Sequence, residues 1–146
     1  MAVRKTLIGV LILALAMLVV AVPANAGLKP KSGDWFSAPV DPDDENNLSS
    51  IQFKVTNNGK RLKKVTIYWR CRDQSGYHTF RNPPIPIAIT KKGRFKLVGE
   101  ITPPTGQSTR DFTLAGRFLS RKKANYSMKL EGCGPRTTGR LTHVAS

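Results

Sequence analysis

The feature that most constrains this chain is a run of strict alternation with a turn in its middle. Ile51, Phe53 and Val55 alternate with Gln52, Lys54 and Thr56; beyond Asn57-Asn58-Gly59-Lys60, Val65, Ile67, Trp69 and Cys71 alternate with Thr66, Tyr68, Arg70 and Arg72. Successive side chains of a strand point to opposite faces, so each strand gains one apolar and one polar face. Asn-Gly supplies the two positive φ angles of a type I′ turn, and the segment is expected to be a β-hairpin. A sheet with one apolar face must bury it, so the remaining chain has to supply more sheet.

The remaining chain has that character. Residues 34–38, 77–80, 94–100, 110–119, 124–131 and 139–144 read as further short strands, punctuated by Gly, Pro and Asn. Ile85-Pro86-Ile87-Ala88-Ile89 is limited to a sheet edge, because proline has no N–H for the ladder. Gly116 is expected to mark a bulge or a close backbone approach. The expected fold is all-β: a two-sheet antiparallel β-sandwich, jelly-roll-like or an immunoglobulin-like variant. The strict immunoglobulin pattern is disfavoured, because Trp69 precedes Cys71 instead of following it.

The first 26 residues are of another kind. Arg4 and Lys5 precede an apolar run from Leu7 to Val22, then Pro23 and Ala24-Asn25-Ala26. A basic head, an apolar segment and a small-residue cleavage site form the pattern of a secretory signal peptide. The run is shorter than the roughly 20 residues that span a bilayer, so no stable membrane span is expected after processing. Residues 27–146 are expected to form one β-sandwich domain, its ordered part about 33–144. The expected location is extracellular, or the periplasmic side of the cell envelope. There an even pair of cysteines persists as a disulfide, so Cys71 is expected to join Cys133. Cys133 has the outward parity of its strand, so a bulge at Gly132 or a strand end there must turn it back toward Cys71.

Charge then narrows the function classes. The chain carries 24 Lys and Arg against nine Asp and Glu, a formal net charge of +15, and only Arg4 and Lys5 fall in the leader. Such a balance attracts polyanions. Export makes an anionic polysaccharide or cell-wall polymer the expected partner and nucleic acid an unexpected one. By alternation Lys54, Arg70, Arg72, Arg94 and Lys96 point outward, with Tyr68 among them, and they form the candidate anion-binding face. Guanidinium groups match carboxylate, sulfate and phosphate in bidentate geometry. Trp35 reads either as core packing or as an exposed sugar-stacking platform, and Tyr68 is a second candidate platform. The clusters Lys60, Arg61, Lys63, Lys64 and Arg121-Lys122-Lys123 lie at loop ends and read as solvated turns.

An order of residues also resembles a known group. Gly33-x-Trp35-x-x-Ala38, Ile51-x-Phe53-x-Val55, Cys71 followed by Asp73 and Gly76, then Gly116-x-Phe118, Ala124 and Cys133 are similar to small exported actinobacterial β-sandwich proteins, mostly of unknown function. The resemblance covers residues 33–146 and implies export and a sandwich fold; it carries no catalytic residue. The chain departs from that pattern at Asn125, where glycine is common, and at its C-terminus, where His143 and Val144 stand without an aromatic.

Other chemistry finds little footing. Asp41, Asp43, Asp44 and Glu45 offer hard oxygen ligands at close spacing, a weak calcium candidate lacking the EF-hand's Gly and distal Glu. No nucleophile elbow, zinc-protease motif or phosphate-cradling loop appears, and no two carboxylates are spaced as a glycosidase pair. His78 is a candidate general base that reads better as a surface histidine. No catalytic residue and no cofactor are expected. The leading expectation is non-catalytic binding of an anionic envelope polymer. A protein-interaction or inhibitor module using Thr102–Gly106 or Asn82–Pro86 is the alternative, and a small hydrolase is a third.

Overall fold

The structure is a computed structural model that describes residues 27–39, 49–71, 75–80, 87–102 and 108–145. The leader expected at residues 1–26 lies outside them. The chain forms strands β1 (Gly33–Ser37), β2 (Ser49–Val55), β3 (Arg61–Arg70), β4 (Ser75–Phe80), β5 (Ile87–Ala88), β6 (Arg94–Ile101), β7 (Arg110–Phe118), β8 (Lys123–Leu130) and β9 (Thr137–Val144). Every pairing is antiparallel.

The strands expected to divide between two sheets are hydrogen-bonded in one order, β4-β3-β2-β1-β9-β8-β7-β6. The pairing of β1 with β9, Trp35 opposite His143, stitches an N-terminal half to a C-terminal half. β5 pairs with the start of β3, Leu62 opposite Ile87. A turn in which the Gly93 N–H donates to the Thr90 carbonyl then leads into β6. The two edges of the sheet are thereby brought together, and the result is a rolled, nearly closed barrel.

Its interior is lined by the apolar parity of each strand. Trp35 and Phe118 meet edge-to-face at 4.9 Å, and Phe53 and Phe95 at 5.5 Å, so rings from both halves share one core. Four inward aromatics each lie over a glycine directly opposite on the neighbouring strand: Trp69 over Gly76, Phe95 over Gly116, Phe112 over Gly99 and Tyr126 over Gly139. A missing Cβ on one strand makes room for a ring from the next, a device that lets a sheet curl around large side chains. At Gly116 the close approach expected from sequence is what occurs.

The disulfide is formed as expected. Cys71 follows the last residue of β3, and Cys133 lies in the turn after β8, where Gly132 at φ 70° reverses the chain. The bridge spans 62 residues, which in the chain-entropy account contributes about 4 kcal/mol.

The β2–β3 hairpin forms with a different turn. Asn58 does not take a positive φ; only Gly59 does, at 66°. The loop has four residues, closed by the Thr56 N–H donating to the Arg61 carbonyl, with the Gly59 N–H donating to Thr56 inside it. Longer hairpin loops are built around an ordinary turn followed by one left-handed residue. The Asn58 side chain serves as an acceptor here, taking hydrogen bonds from the Thr56 hydroxyl and the Lys60 N–H.

One residue breaks the alternation of β3. Lys54 pairs with Lys63 and Gln52 with Thr66, so β3 holds one more residue than β2 between these pairs. Lys64, at φ 50°, is the one non-glycine with a positive φ among the described residues. This bulge keeps Leu62 and Val65 both inside while Lys63 and Lys64 both stay outside. Without it, parity would swing Lys63 into the core.

Candidate functional site: a cationic end and an adjoining groove

Antiparallel strands return to the same end at every second turn, and that geometry sorts the charge. The lower end gathers residues 27–32, the β2–β3 turn, the β5–β6 turn and the β7–β8 turn. These bring Lys29 and Lys31; Lys60, Arg61, Lys63 and Lys64; Lys91, Lys92 and Arg94; and Arg117, Arg121, Lys122 and Lys123. Among the described residues, Asp34 is the acid nearest this end. The others, Glu100, Asp111 and Glu131, stand at the upper end beside the disulfide, with Arg70, Arg110, Lys129 and Arg136 around them. The upper end is near balance in charge; the lower end is not.

The lower end is also built firmly. The segment before β1 runs across it from turn to turn. Gly27 lies against the Lys91 carbonyl, and Lys29 and Pro30 lie against Gly59. The Lys31 N–H donates to the Arg121 carbonyl at 2.9 Å. Trp35 fixes the far end of this strap by donating its indole N–H to the Lys31 carbonyl at 3.0 Å, and the His143 Nε2 lies 2.8 Å from the Ser32 carbonyl. The Ile89 N–H donates to the Lys60 carbonyl and the Phe118 N–H to Gly93. Cations from four parts of the sequence are thus carried on one backbone framework. An apolar-floored hollow of about 490 Å³ opens between Leu28, Ile89 and Ala88, rimmed by Lys29, Lys60, Arg61 and Lys91.

The candidate sheet-face residues fare differently. Lys54 and Arg70 are exposed on β2 and β3, whereas Arg94 and Lys96 are exposed on β6 at the other end of the strand order. They occupy different walls of the rolled sheet, not one face, because the roll turns β6 away from β2. Arg72 lies outside the described residues, as do Asp41, Asp43, Asp44 and Glu45. Residues 81–86 and 103–107, which hold most of the two loops considered for a protein partner, do so too.

Of the two candidate platforms, Trp35 is fully buried, with 0% exposure, and presents no face to a sugar. Its parity places it inside, and its neighbour Phe36 is the outward residue, 39% exposed. Tyr68 is 40% exposed and pairs across the strands with Tyr77 on the same outer surface. Beside that pair, a groove of about 760 Å³ crosses the outside of β1 to β4. It is lined by Asp34 and Phe36 from β1, Gln52 and Lys54 from β2, Lys64 and Thr66 from β3 and Thr79 from β4, with Phe53 beneath. Of these, Lys54 belongs to the candidate anion-binding face and Lys64 to a loop-end cluster expected to be a solvated turn. A signal for Lys64 exists in the sequence: Leu62 and Val65 are both apolar at a spacing of three, which in a strand calls for a bulge.

Among the described residues no three His, Cys, Asp or Glu side chains gather in one place. Glu100 and Asp111 face each other across β6 and β7, exposed on the outer surface and away from both grooves. His78 packs on Phe80 with ring centres 4.3 Å apart, and burial lowers its pKa from the ordinary imidazole value. It is half-buried on the inner parity of β4, not the surface residue expected. No helix among the described residues is long and apolar enough to cross a membrane. Comparison with known proteins adds no relative: no family model, no curated protein and no solved structure matches this chain.

Proposed function

We propose that this protein is an exported, non-catalytic binding module that holds an anionic polysaccharide or cell-envelope polymer against the lower end of its barrel. The observation that carries the reading is the convergence of four cationic segments on one end, tied together by backbone hydrogen bonds, with Asp34 the nearest described acid. Charge evolved for solubility alone works best with both signs interspersed. A one-sided cluster raises the local potential and attracts a polyanion by displacing its counterions. The leader sequence and the disulfide support export, since such bridges persist in oxidising compartments. The kinship with small exported actinobacterial proteins belongs to the same proposal. The site is this end and not a single sheet face.

The test uses the full chain, expressed with its own leader in an exporting host and recovered oxidised. It is applied to dextran sulfate, polygalacturonate and neutral dextran at about 0.1 M salt and eluted by a gradient; at that ionic strength, screening reaches about 10 Å. Retention on the two anionic matrices that fades with salt is expected. The triple variant Lys60→Glu, Lys91→Glu, Lys122→Glu should elute at less than about half the wild-type salt concentration, since each reversal removes a polymer contact and adds a repulsion. Arg70→Glu, Lys129→Glu, Arg136→Glu changes net charge equally, away from the lower end, and should elute close to wild type. Equal shifts in the two triples would reduce the effect to net charge and sink the assignment of the site. No retention on either anionic matrix would sink the function.

A further inference from the structure

We infer that the groove across the outside of β1 to β4 is a subsite for a uronic-acid ring, an inference that rests on the polymer-binding reading and names its ligand. The chemistry of the lining is mixed in the way a sugar acid requires. Phe36 presents an exposed ring at one side, and the negative face of an aromatic accepts the C–H edge of a pyranose. Lys54 and Lys64 supply ammonium groups for one carboxylate. Asp34, Gln52 and Thr66 supply acceptors and donors for ring hydroxyls. A bare sulfate would gain nothing from Phe36 and offers Asp34 no hydroxyl to accept from. The groove volume, about 760 Å³, falls within the range of about 300–1,000 Å³ typical of small-molecule sites.

Three features of the backbone and packing point the same way. Lys64 stands in the bulge, with a left-handed φ that a lysine adopts at a cost. Bulges recur beside binding sites, where they re-aim a side chain. Lys54 stands directly opposite Lys63 in the β2–β3 ladder, and like charges so placed destabilise a sheet. The Thr79 hydroxyl, in the groove lining, is buried without a hydrogen-bond partner. The bulge also keeps Lys63 out of the core, whereas the facing lysines and the unpartnered hydroxyl cost the fold stability, and the lysines become intelligible beside a bound carboxylated ring. The groove begins next to the lower end and runs toward Tyr68 and Tyr77, so a chain held by the cationic end has a track to follow.

The probe is tetragalacturonate, with its fully methyl-esterified form as the uncharged counterpart, titrated into the oxidised protein by calorimetry. The free acid should bind about tenfold or more tightly than the ester. Phe36→Ala and Lys64→Gly should each weaken tetragalacturonate binding about tenfold; on dextran sulfate Phe36→Ala should elute with wild type, and Lys64→Gly with Lys92→Ala, which loses a lower-end charge outside the groove. Lys64→Gly suits the positive φ and should melt at or above the wild-type temperature, which separates lost binding from lost folding. Equal binding of acid and ester would overturn the inference. So would tetragalacturonate binding that survives both groove variants, or its absence beside intact dextran sulfate retention, and in these cases the polymer reading stands. Loss of binding to every anionic probe would take both down together.

Discussion

At the scale of single residues, the chain repeatedly places a polar group where only its neighbours explain it. His78 is the plainest case. Burial against Phe80 disfavours its charged form, so its pKa in the folded protein lies below that in the unfolded chain. The unfolded chain therefore binds more protons between the two values, and folding stability rises with pH across that window. Stability is expected to be full above about pH 6.5 and to decline as pH falls through the lowered value. Denaturant melts of wild type and His78→Phe between pH 7.5 and 5 check this. The slope should flatten in the variant, and an equally steep loss in both would assign it to other groups. Residue-level legibility was high where one rule acts alone. Trp69 follows the parity of Val65 and Ile67 and is buried with them; Cys71 and Cys133 are the one available pair. It was weaker at Trp35, where a short strand next to a charged segment left core packing and an exposed platform both open until β9 closed over one face. Asn58 misled for a related reason: the Asn-Gly pair is the strongest two-residue hairpin signal, but the loop here is four residues long.

At the scale of elements, the pairing of inward rings with opposing glycines holds the curl. A Cβ on Gly116 would sit 2.2 Å from Phe95 Cζ and 2.7 Å from the Asn125 carbonyl oxygen. The ring could shift, but the carbonyl belongs to the β7–β8 ladder and cannot shift without breaking it. Gly116→Ala should cost about 1–3 kcal/mol or somewhat more, the usual range for overpacking a core. Adding Phe95→Leu should recover part of that loss and not all of it, because the backbone contact remains. Chemical denaturation of the two variants decides the matter; a neutral Gly116→Ala would mean the strands part easily there. Strand positions were legible to within a residue or two along nearly the whole described chain, since period-two patterning is local. β5 was seen as an edge segment, and Pro86 gave the reason. The bulge at Lys64 leaves a local sign, Leu62 and Val65 both apolar at a spacing of three, but its place in the ladder is set by the register of β2 against β3.

At the scale of the whole molecule, the separation of charge depends on topology alone. The cationic turns lie far apart in sequence, and each alone reads as an ordinary solvated turn. An up-and-down order brings every second turn to one end, so the cluster was recoverable only by someone who had fixed that order first. The two-sheet expectation placed the candidate cations on a sheet face, so their gathering at one end was not sought there. The upper end depends instead on the bridge. Replacing Cys71 and Cys133 with serine should cost about 2–5 kcal/mol. The loss should appear as a lower denaturation midpoint, with the lower-end retention on dextran sulfate preserved while the variant stays folded. Coupled loss of retention at low denaturant would show that the two ends do not act independently. One further consequence concerns handles. β1 rises from the cationic end and β9 descends to it, so both leads into the sheet leave from the surface assigned to the polymer. A fusion tag on either lead would sit underneath the molecule, between protein and matrix. The stretch at residues 134–136, exposed on the opposite pole just past the bridge, is where a reporter could be spliced and still face open solvent when the base is occupied.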